Sequence, residues 1–384
     1  MRVLYISDAS DLFGAPKALL DILKNICENK VEITPIVLTS KYNEVNKFCE
    51  EKEIENYVTG HPAWMMTKKE KKFIFIFKFL IKYFKFLILS NRSLRKAEKY
   101  LDFRNIDLIH TNTSIIDLGA RISKKYKIKH IWHLREFGQE DYDMIVFKKD
   151  YINYMNSNTN LFITISEAVN KCWIKKGIDY KKICMIYDGI KLDDISKRQK
   201  NNNFLNIVFS GYISESKGQI QAIKAIEQLD EDYKKRIRLD IIGTGKKEYI
   251  KYLKKYIDDK NMSDVIHFLG YKSNLRSLLS QYDIGMMCSK SEGFGRTTVE
   301  YMATGLVVIA SNTGANKEII CDNENGFIYE YNNIDSLSNL LKRVIDQYDH
   351  LDYIAENAIT CVNEKFNSFN NFDKIVEKYK QSEE

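Results

Sequence analysis

Residues 283–320 read DIGMMCSKSEGFGRTTVEYMATGLVVIASNTGANKEII. Asp283 to Met287 has the composition of a short buried strand. Residues 306–310 form another, β-branched at Val307, Val308 and Ile309. The loop between them holds Gly293 and Gly295 around Phe294, which frees backbone N–H groups to face a ligand. A helix is expected from about Thr297, so Glu292 lies on the loop and Glu300 in the helix. On one continuous helix, eight residues give roughly 12 Å of rise and about 80° of rotation, too far apart for one small site. Split between loop and helix, the two carboxylates can line one elongated pocket. That spacing is too long for a glycosidase acid/base pair and suits opposite ends of an extended ligand. The helix N-terminus between them favours a diphosphate.

Taken together, Glu292-Gly293-Phe294-Gly295, Glu300-Tyr301-Met302-Ala303, Gly305-Leu306-Val307-Val308-Ile309 and Gly314-Ala315 with Glu318-Ile319 form a pattern. It resembles the retaining glycosyltransferases of family 4 (group 1). Two glutamates eight apart are common; the whole run with its glycines in place carries the resemblance. It implies an α/β protein of the GT-B fold, with two Rossmann-like parallel-sheet domains facing a cleft and a C-terminal helix crossing back to the first domain. It also implies transfer of a sugar from a nucleotide-sugar, expected to be a UDP-sugar, to an acceptor hydroxyl. By the same resemblance Glu300 holds the ribose and Glu292 a donor-sugar hydroxyl. The N–H groups of Phe294 and Gly295 hold the sugar, with Gly293, Arg296 and Thr297 in the same donor loop.

Working back from this stretch, residues 206–223 (NIVFSGYISESKGQIQAI) read as strand, loop, helix. Lys217-Gly218 opens the helix, so a cation and free N–H groups point the same way. The family has an Arg and a Lys here on the donor diphosphate. Lys217 matches the Lys, while the Arg position just after Gly211 is Tyr212, leaving Arg296 as a candidate substitute. Residues 238–250 give a second strand–glycine–helix unit with Gly243. Residues 265–271 resemble the family's nucleotide-base strand, ending at Gly270-Tyr271. Beyond residue 330 only helical stretches follow, at 334–347, 352–365 and 368–381.

The first half alternates strands with helical stretches, which argues a parallel sheet. Residues 2–7 form a strand, and a loop with Gly14 leads to a helix that Pro16 can open. In such sheets that loop is a usual phosphate site, and Gly14 is placed on the donor side. His110 and His133 fall at the carboxyl ends of later strands, the edge where open α/β sheets bind ligands. A lone histidine there is more often structural. The family, however, has a histidine near donor sugar and acceptor, and that role is carried onto His133. Arg135, Glu136, Glu140 and Asp141 add polar density beside it and are placed on the acceptor side with His110. Ser166 reads as an N-cap. Residues 183–190 resemble the strand before the interdomain linker, with Asp188 where Asn is usual.

The expected domains are 1–190, a linker at 191–203, a nucleotide-sugar domain at 204–365 and a returning helix at 366–384. A chain of 384 residues suits two cores. The seven scattered cysteines contain no C-x-x-C, so neither a metal cage nor a disulfide framework is expected. With no Asp-x-Asp at a strand end, no metal or other cofactor is expected; charge on the leaving diphosphate falls to Lys217 and helix N-termini. A net charge of +7 permits an anionic partner.

Segment 68–99 is basic and greasy: Lys78, Lys82 and Lys85 share one helical face among Phe, Ile, Leu and Tyr. This is the pattern of an interfacial helix on an anionic membrane. The alternative is a core helix with a solvated lysine stripe. A saccharide or lipid-linked acceptor is therefore expected, with the protein cytoplasmic and peripheral on the inner face of a bacterial plasma membrane. Assembly of capsule, exopolysaccharide or lipopolysaccharide is the matching biology. The basic residues sit with no nucleic-acid reading module, so no such partner is expected. Two rivals stand: another GT-B enzyme such as a nucleotide-sugar epimerase, and a degenerate binding or scaffolding protein, for which Tyr212 is the best support.

Overall fold

The computed structural model of the chain describes residues 1–8, 14–29, 31–68, 72–139, 144–192 and 204–382, with 72–74 as backbone only. Residues 193–203 of the expected linker, and Glu140 and Asp141, lie outside the described residues. The chain divides into two compact units, Met1–Gly189 with Ser368–Glu384, and Ile190–Asn367.

The first unit runs β1 (Arg2–Ser7), α1 (Ala15–Glu28), β2 (Thr34–Thr39), α2 (Glu44–Glu51), β3 (Glu55–Val58), β4 (Met65–Thr67), α3 (Lys72–Tyr100), β5 (Leu108–Thr111), α4 (Leu118–Tyr126), β6 (Lys129–Leu134), β7 (Met144–Val146), α5 (Tyr151–Ser157), β8 (Leu161–Thr164), α6 (Glu167–Lys176) and β9 (Ile183–Met185). Among the described residues, seven of these strands form a parallel sheet in the order β3-β2-β1-β5-β6-β8-β9, while β4 and β7 pair antiparallel. Alternation along β1 sends Val3 and Tyr5 to one core, with Leu19 and Leu23 of α1, and Leu4 and Ile6 to the other, with Ile122 of α4. Ser166 caps α6 by accepting from Val169 N–H at 3.2 Å.

Helix α3 has features of both sequence alternatives, an inward stripe and an exposed apolar stripe beside its lysines. At 100° per residue its side chains sort into three stripes. Phe79, Tyr83, Phe86 and Ser90 face inward, the aromatics packing around Phe147. Ile76, Phe77, Leu80, Ile81, Phe84, Leu87 and Ile88 are exposed across an arc of about 140°. Lys78, Lys82 and Lys85 occupy a narrower arc beyond them. No described helix is long and apolar enough to cross a membrane.

The second unit runs β10 (Leu205–Ser210), α7 (Gln219–Glu227), α8 (Glu231–Lys234), β11 (Ile237–Ile242), α9 (Lys247–Asp259), β12 (Ile266–Gly270), α10 (Leu275–Leu279), β13 (Ile284–Met287), α11 (Arg296–Thr304), β14 (Val307–Ser311), α12 (Asn316–Ile319), β15 (Phe327–Tyr329), α13 (Ile334–Gln347) and α14 (Asp352–Lys365). Its described strands form a parallel sheet ordered β12-β11-β10-β13-β14-β15. The last helix, α15 (Ser368–Gln381), belongs to the first unit, where Phe372, Ile375, Val376 and Tyr379 join the core beside α1. The crossing-back implied by the resemblance is therefore present.

Two buried histidines tie the first sheet to its loops. His61 donates from Nε2 to Ser7 O (2.8 Å) and accepts from Thr59 (2.7 Å); His130 donates from Nδ1 to Asn158 O (2.9 Å) and accepts from Thr111 (2.9 Å). Burial pushes each down to about 4. Because the native pKa lies below the unfolded value, the unfolded chain takes up protons that the native state refuses as pH falls from about 6.5 to about 4. Stability is thus lost on acidification across that window, by up to about 3 kcal/mol per histidine. Urea unfolding of wild type at pH 7 and 4.5 is expected to show that loss, and a flatter profile in His130→Gln.

Candidate active site

In each sheet the strand order reverses next to the strand that opens it, β1 beside β5 and β10 beside β13. Crevices outside the carboxyl ends at such switch points are where open α/β sheets take ligands. In the second unit this edge is cornered by glycines. Gly211 N–H bonds Ile242 O and Gly243 N–H bonds Gly270 O, both at 2.9 Å, which aligns three of the sequence-derived donor positions. Gly243 has φ 150°, and a Cβ there would lie 1.9 Å from Gly211 O. Tyr271 beyond Gly270 is 61% exposed.

Lys217 ends a 3₁₀ turn (Glu215–Lys217) leading into α7. That turn is pinned to the strand-end loop, since Lys290 N–H donates to Ser216 O at 2.8 Å. The result is contact between Lys217 Nζ and Glu292 Oε2 at 2.8 Å, with 32% and 14% side-chain exposure. Glu292 is itself held by its backbone, its carbonyl accepting from Ala315 N–H at 2.8 Å. Glu300, its side chain 6% exposed in α11, lies 3.3 Å from the Arg276 guanidinium and 3.5 Å from Arg296 Nε. The two carboxylates picked from the sequence thus each hold a cation, and α11 begins between them at Gly295, φ 81°. Thr297 is partly exposed on its first turn. Phe294 is buried against Phe366, centroids 5.8 Å apart, so its ring belongs to the core.

In the first unit, His110 and His133 are fully buried within β5 and β6. Arg135 Nη2 donates toward His133 Nδ1 at 3.3 Å, which makes that nitrogen an acceptor; His110 Nε2 lies 3.2 Å from it. The consistent assignment has His110 donating from Nε2 and accepting from Tyr379 O–H at Nδ1, 2.5 Å away. His133 then carries its proton on Nε2, which is buried with no hydrogen-bond partner among the described residues. Burial, and next the Arg135 charge, hold both imidazoles well below their ordinary pKa, so both are neutral.

Arg135 is 3% exposed and paired with Asp188, with its Nε on Asn112. Asp188, where the resemblance has Asn, is therefore the counter-ion of a buried guanidinium. Glu136 accepts from Thr113 O–H (2.6 Å), Ser114 N–H (3.0 Å) and Ser114 O–H (2.8 Å); burial raises its pKa against those bonds. All three tryptophans brace the same loops, Trp64 donating to Ser114 O, Trp132 to Thr113 O and Trp173 to Glu136 O, each at 2.8 Å. Gly14 begins α1 at φ 53°, and a Cβ there would meet nothing within 4 Å among the described residues. Sequence reasoning missed Arg276 and Tyr379. Arg276 is the lone cation of short helix α10, and Tyr379 sits 269 positions from its partner, so neither had a local signal.

Two parallel-sheet units, each with a crevice at its switch point, give the architecture of the GT-B fold. A family model described as "Glycosyl transferases group 1" matches residues 191–360, and one described as "Glycosyltransferase Family 4" matches residues 55–194. The chain belongs to this glycosyltransferase family. It is 26% identical over 310 residues to the Escherichia coli UDP-Gal:alpha-D-GlcNAc-diphosphoundecaprenol alpha-1,3-galactosyltransferase, covering 76% of this chain and 80% of that one. It is 27% identical over 274 residues to an uncharacterized glycosyltransferase of Methanocaldococcus jannaschii, covering 68% and 72%. The fold matches Anabaena HepE solved in complex with UDP-glucose, with TM-score 0.78, 20% identity, and 99% and 100% of the two chains covered.

Removing Asp188 strands Arg135 in the interior, an effect of about 3–5 kcal/mol for such pairs. Asp188→Ala is expected to lower the unfolding free energy by that order, and Asp188→Asn, which keeps a hydrogen bond, by less; urea titration of both variants measures the difference.

Proposed function

We propose that the protein moves a sugar, with retention of anomeric configuration, from a UDP-sugar to a hydroxyl of a saccharide on a lipid-linked acceptor in bacterial surface-polysaccharide assembly. The observation carrying this reading is the pairing of Lys217 with Glu292 and of Arg276 and Arg296 with Glu300, on either side of the glycine-capped start of α11. Support for the donor comes from the UDP-glucose named with HepE, and for the acceptor from the diphosphoundecaprenol in the E. coli relative's name.

In the transfer, the bond from sugar C1 to the β-phosphate oxygen breaks with its electron pair staying on phosphate. The acceptor oxygen bonds C1 from the same face, and its proton passes to the leaving phosphate oxygen. Charge developing on the diphosphate meets Lys217, Arg296 and the N–H groups opening α11. Glu300 binds the ribose hydroxyls, and Glu292 with the Phe294 and Gly295 N–H groups binds the sugar. His133 Nε2–H donates to an acceptor oxygen. The protein's own cations suffice in this reading, so turnover is expected to survive EDTA.

A ligand that binds only the native state stabilises it by about 2.7 kcal/mol at a hundred times its Kd. Among UDP, GDP, ADP and CMP, UDP is expected to raise the melting temperature, and Glu300→Ala to shrink the shift. Absence of any shift in folded protein would instead support a scaffold without catalysis. Lys217→Ala is expected to cut kcat about 10²–10³-fold, by loss of one charge stabiliser.

The exposed apolar stripe of α3, bordered by lysines, fits an anionic membrane surface, with the protein peripheral on the cytoplasmic face. Flotation with anionic liposomes is expected for wild type and to fail when Lys78, Lys82 and Lys85 become Glu; equal flotation would remove this part of the reading.

A further inference from the structure

A pocket of about 630 Å³ lies under α3, in the first unit and apart from the donor groups. One wall is apolar, with Tyr83, Phe86 and Leu87 from the helix and Phe147 facing them. The other wall is cationic, with Arg121 and Lys124 of α4 and Lys148 after β7. Lys125 also lines it, but is paired to Glu98 at 2.6 Å.

Two of these cations are held under unusual conditions. Arg121 Nη2 donates to Asn91 Oδ1 at 2.6 Å, while Nη1 is buried with no hydrogen-bond partner among the described residues. A buried guanidinium nitrogen without an acceptor is costly, and an arriving anion relieves that cost. Lys148 Nζ lies 3.5 Å from the centre of the Tyr154 ring, and desolvation lowers its pKa. The one carboxyl in the lining, Asp117, is buried and raised to about 6 by desolvation, with Arg121 and Lys148 opposing. One carboxyl against these cations leaves the lining with a net positive charge.

An apolar wall facing a cationic one fits a phosphate attached directly to an aliphatic chain. The pocket's neighbours decide between lipids. Trp64 lines it and also braces the loop at the sheet edge: Trp64 bonds Ser114 O, and Ser114 in turn bonds Glu136. From the pocket an aliphatic chain can leave along Leu87 onto the exposed stripe of α3.

We propose that this pocket binds the diphosphate end of a polyprenyl-diphosphate acceptor, with Arg121 and Lys148 on the phosphates and the first isoprene units against Tyr83, Phe86 and Phe147. This rests on the lipid-linked acceptor reading above and names the site for it.

The test uses the full chain and water-soluble farnesyl diphosphate, with tryptophan fluorescence as readout. Binding is expected in wild type and to weaken about ten-fold or more in Arg121→Met, as for loss of a charge-assisted hydrogen bond. Leu87→Trp, which fills the pocket from its exposed side, is expected to weaken it too and guards against misfolding of the first variant. Farnesol and inorganic diphosphate are expected to bind far more weakly, each lacking one wall's partner. Binding must persist in saturating UDP; displacement by UDP would place the ligand at the donor site and overturn the proposal. Equal binding in wild type and both variants overturns it as well. So does equal, variant-sensitive binding of phosphatidylglycerol vesicles, which would assign the pocket to bulk lipid. A UDP thermal shift retained in every variant while farnesyl diphosphate binding is unchanged rejects the pocket alone; loss of any UDP response in wild type rejects the glycosyltransfer reading instead.

Discussion

A Cβ on Gly218 would stand 2.1 Å from Cys288 O, and one on Gly314 would stand 2.2 Å from Glu292 O. These two approaches set the geometry of the second sheet's carboxyl edge. Parallel strands end side by side, so the loops leaving β10, β13 and β14 must pass through one another's space at the carboxyl edge. Where they meet backbone to backbone, Lys217 comes within a hydrogen bond of Glu292 although they lie 75 positions apart. Any side chain at either glycine would push the loops apart by more than the tolerance of a hydrogen bond. Gly218 also requires φ 76°, which side-chain-bearing residues rarely adopt.

The first unit solves a different problem. It carries polar groups into a region its sheet otherwise keeps dry, and most of those described are matched to a partner, His133 Nε2 being an exception. Arg135 brings a fixed positive charge, balanced by Asp188 and hydrogen-bonded to Asn112. Burial, and next the Arg135 charge, keep both histidines neutral, so their hydrogen bonds run in one direction from Tyr379 to His133 Nε2. A neutral, donor-only nitrogen at a buried edge can hold a ligand oxygen without taking its proton. That distinguishes a positioning group from a general base.

Much of this was legible from local patterns. The strand–glycine–helix rhythm identified the sheets, because burial on both faces demands apolar runs and the turns demand glycine. Glu292, Glu300 and Lys217 were legible because their spacing relative to those turns is local. The partners were not. Arg276, Asp188 and Tyr379 act through contacts 24, 53 and 269 positions distant, and nothing within a window of sequence announces them. Phe294 was singled out for its backbone N–H, and its ring packs on Phe366, a contact 72 positions distant that no local pattern announces. Helix α3 was legible as amphipathic, but only the fold shows that its apolar residues divide between an inward and an outward stripe.

The membership of α15 in the first unit makes the second unit, in topological terms, an insertion within the first. During synthesis the amino-terminal sheet emerges long before the helix that covers it, and Phe372, Val376 and Tyr379 reach their places only after the whole second unit has been made. Until then the face beside α1 lacks part of its cover and His110 lacks its phenol partner. The second unit, continuous in sequence from Ile190 to Asn367, carries no such debt and can complete its core first. Order of synthesis and order of completion are therefore opposed, and His110 and His133 are among the last groups to acquire their native hydrogen bonds.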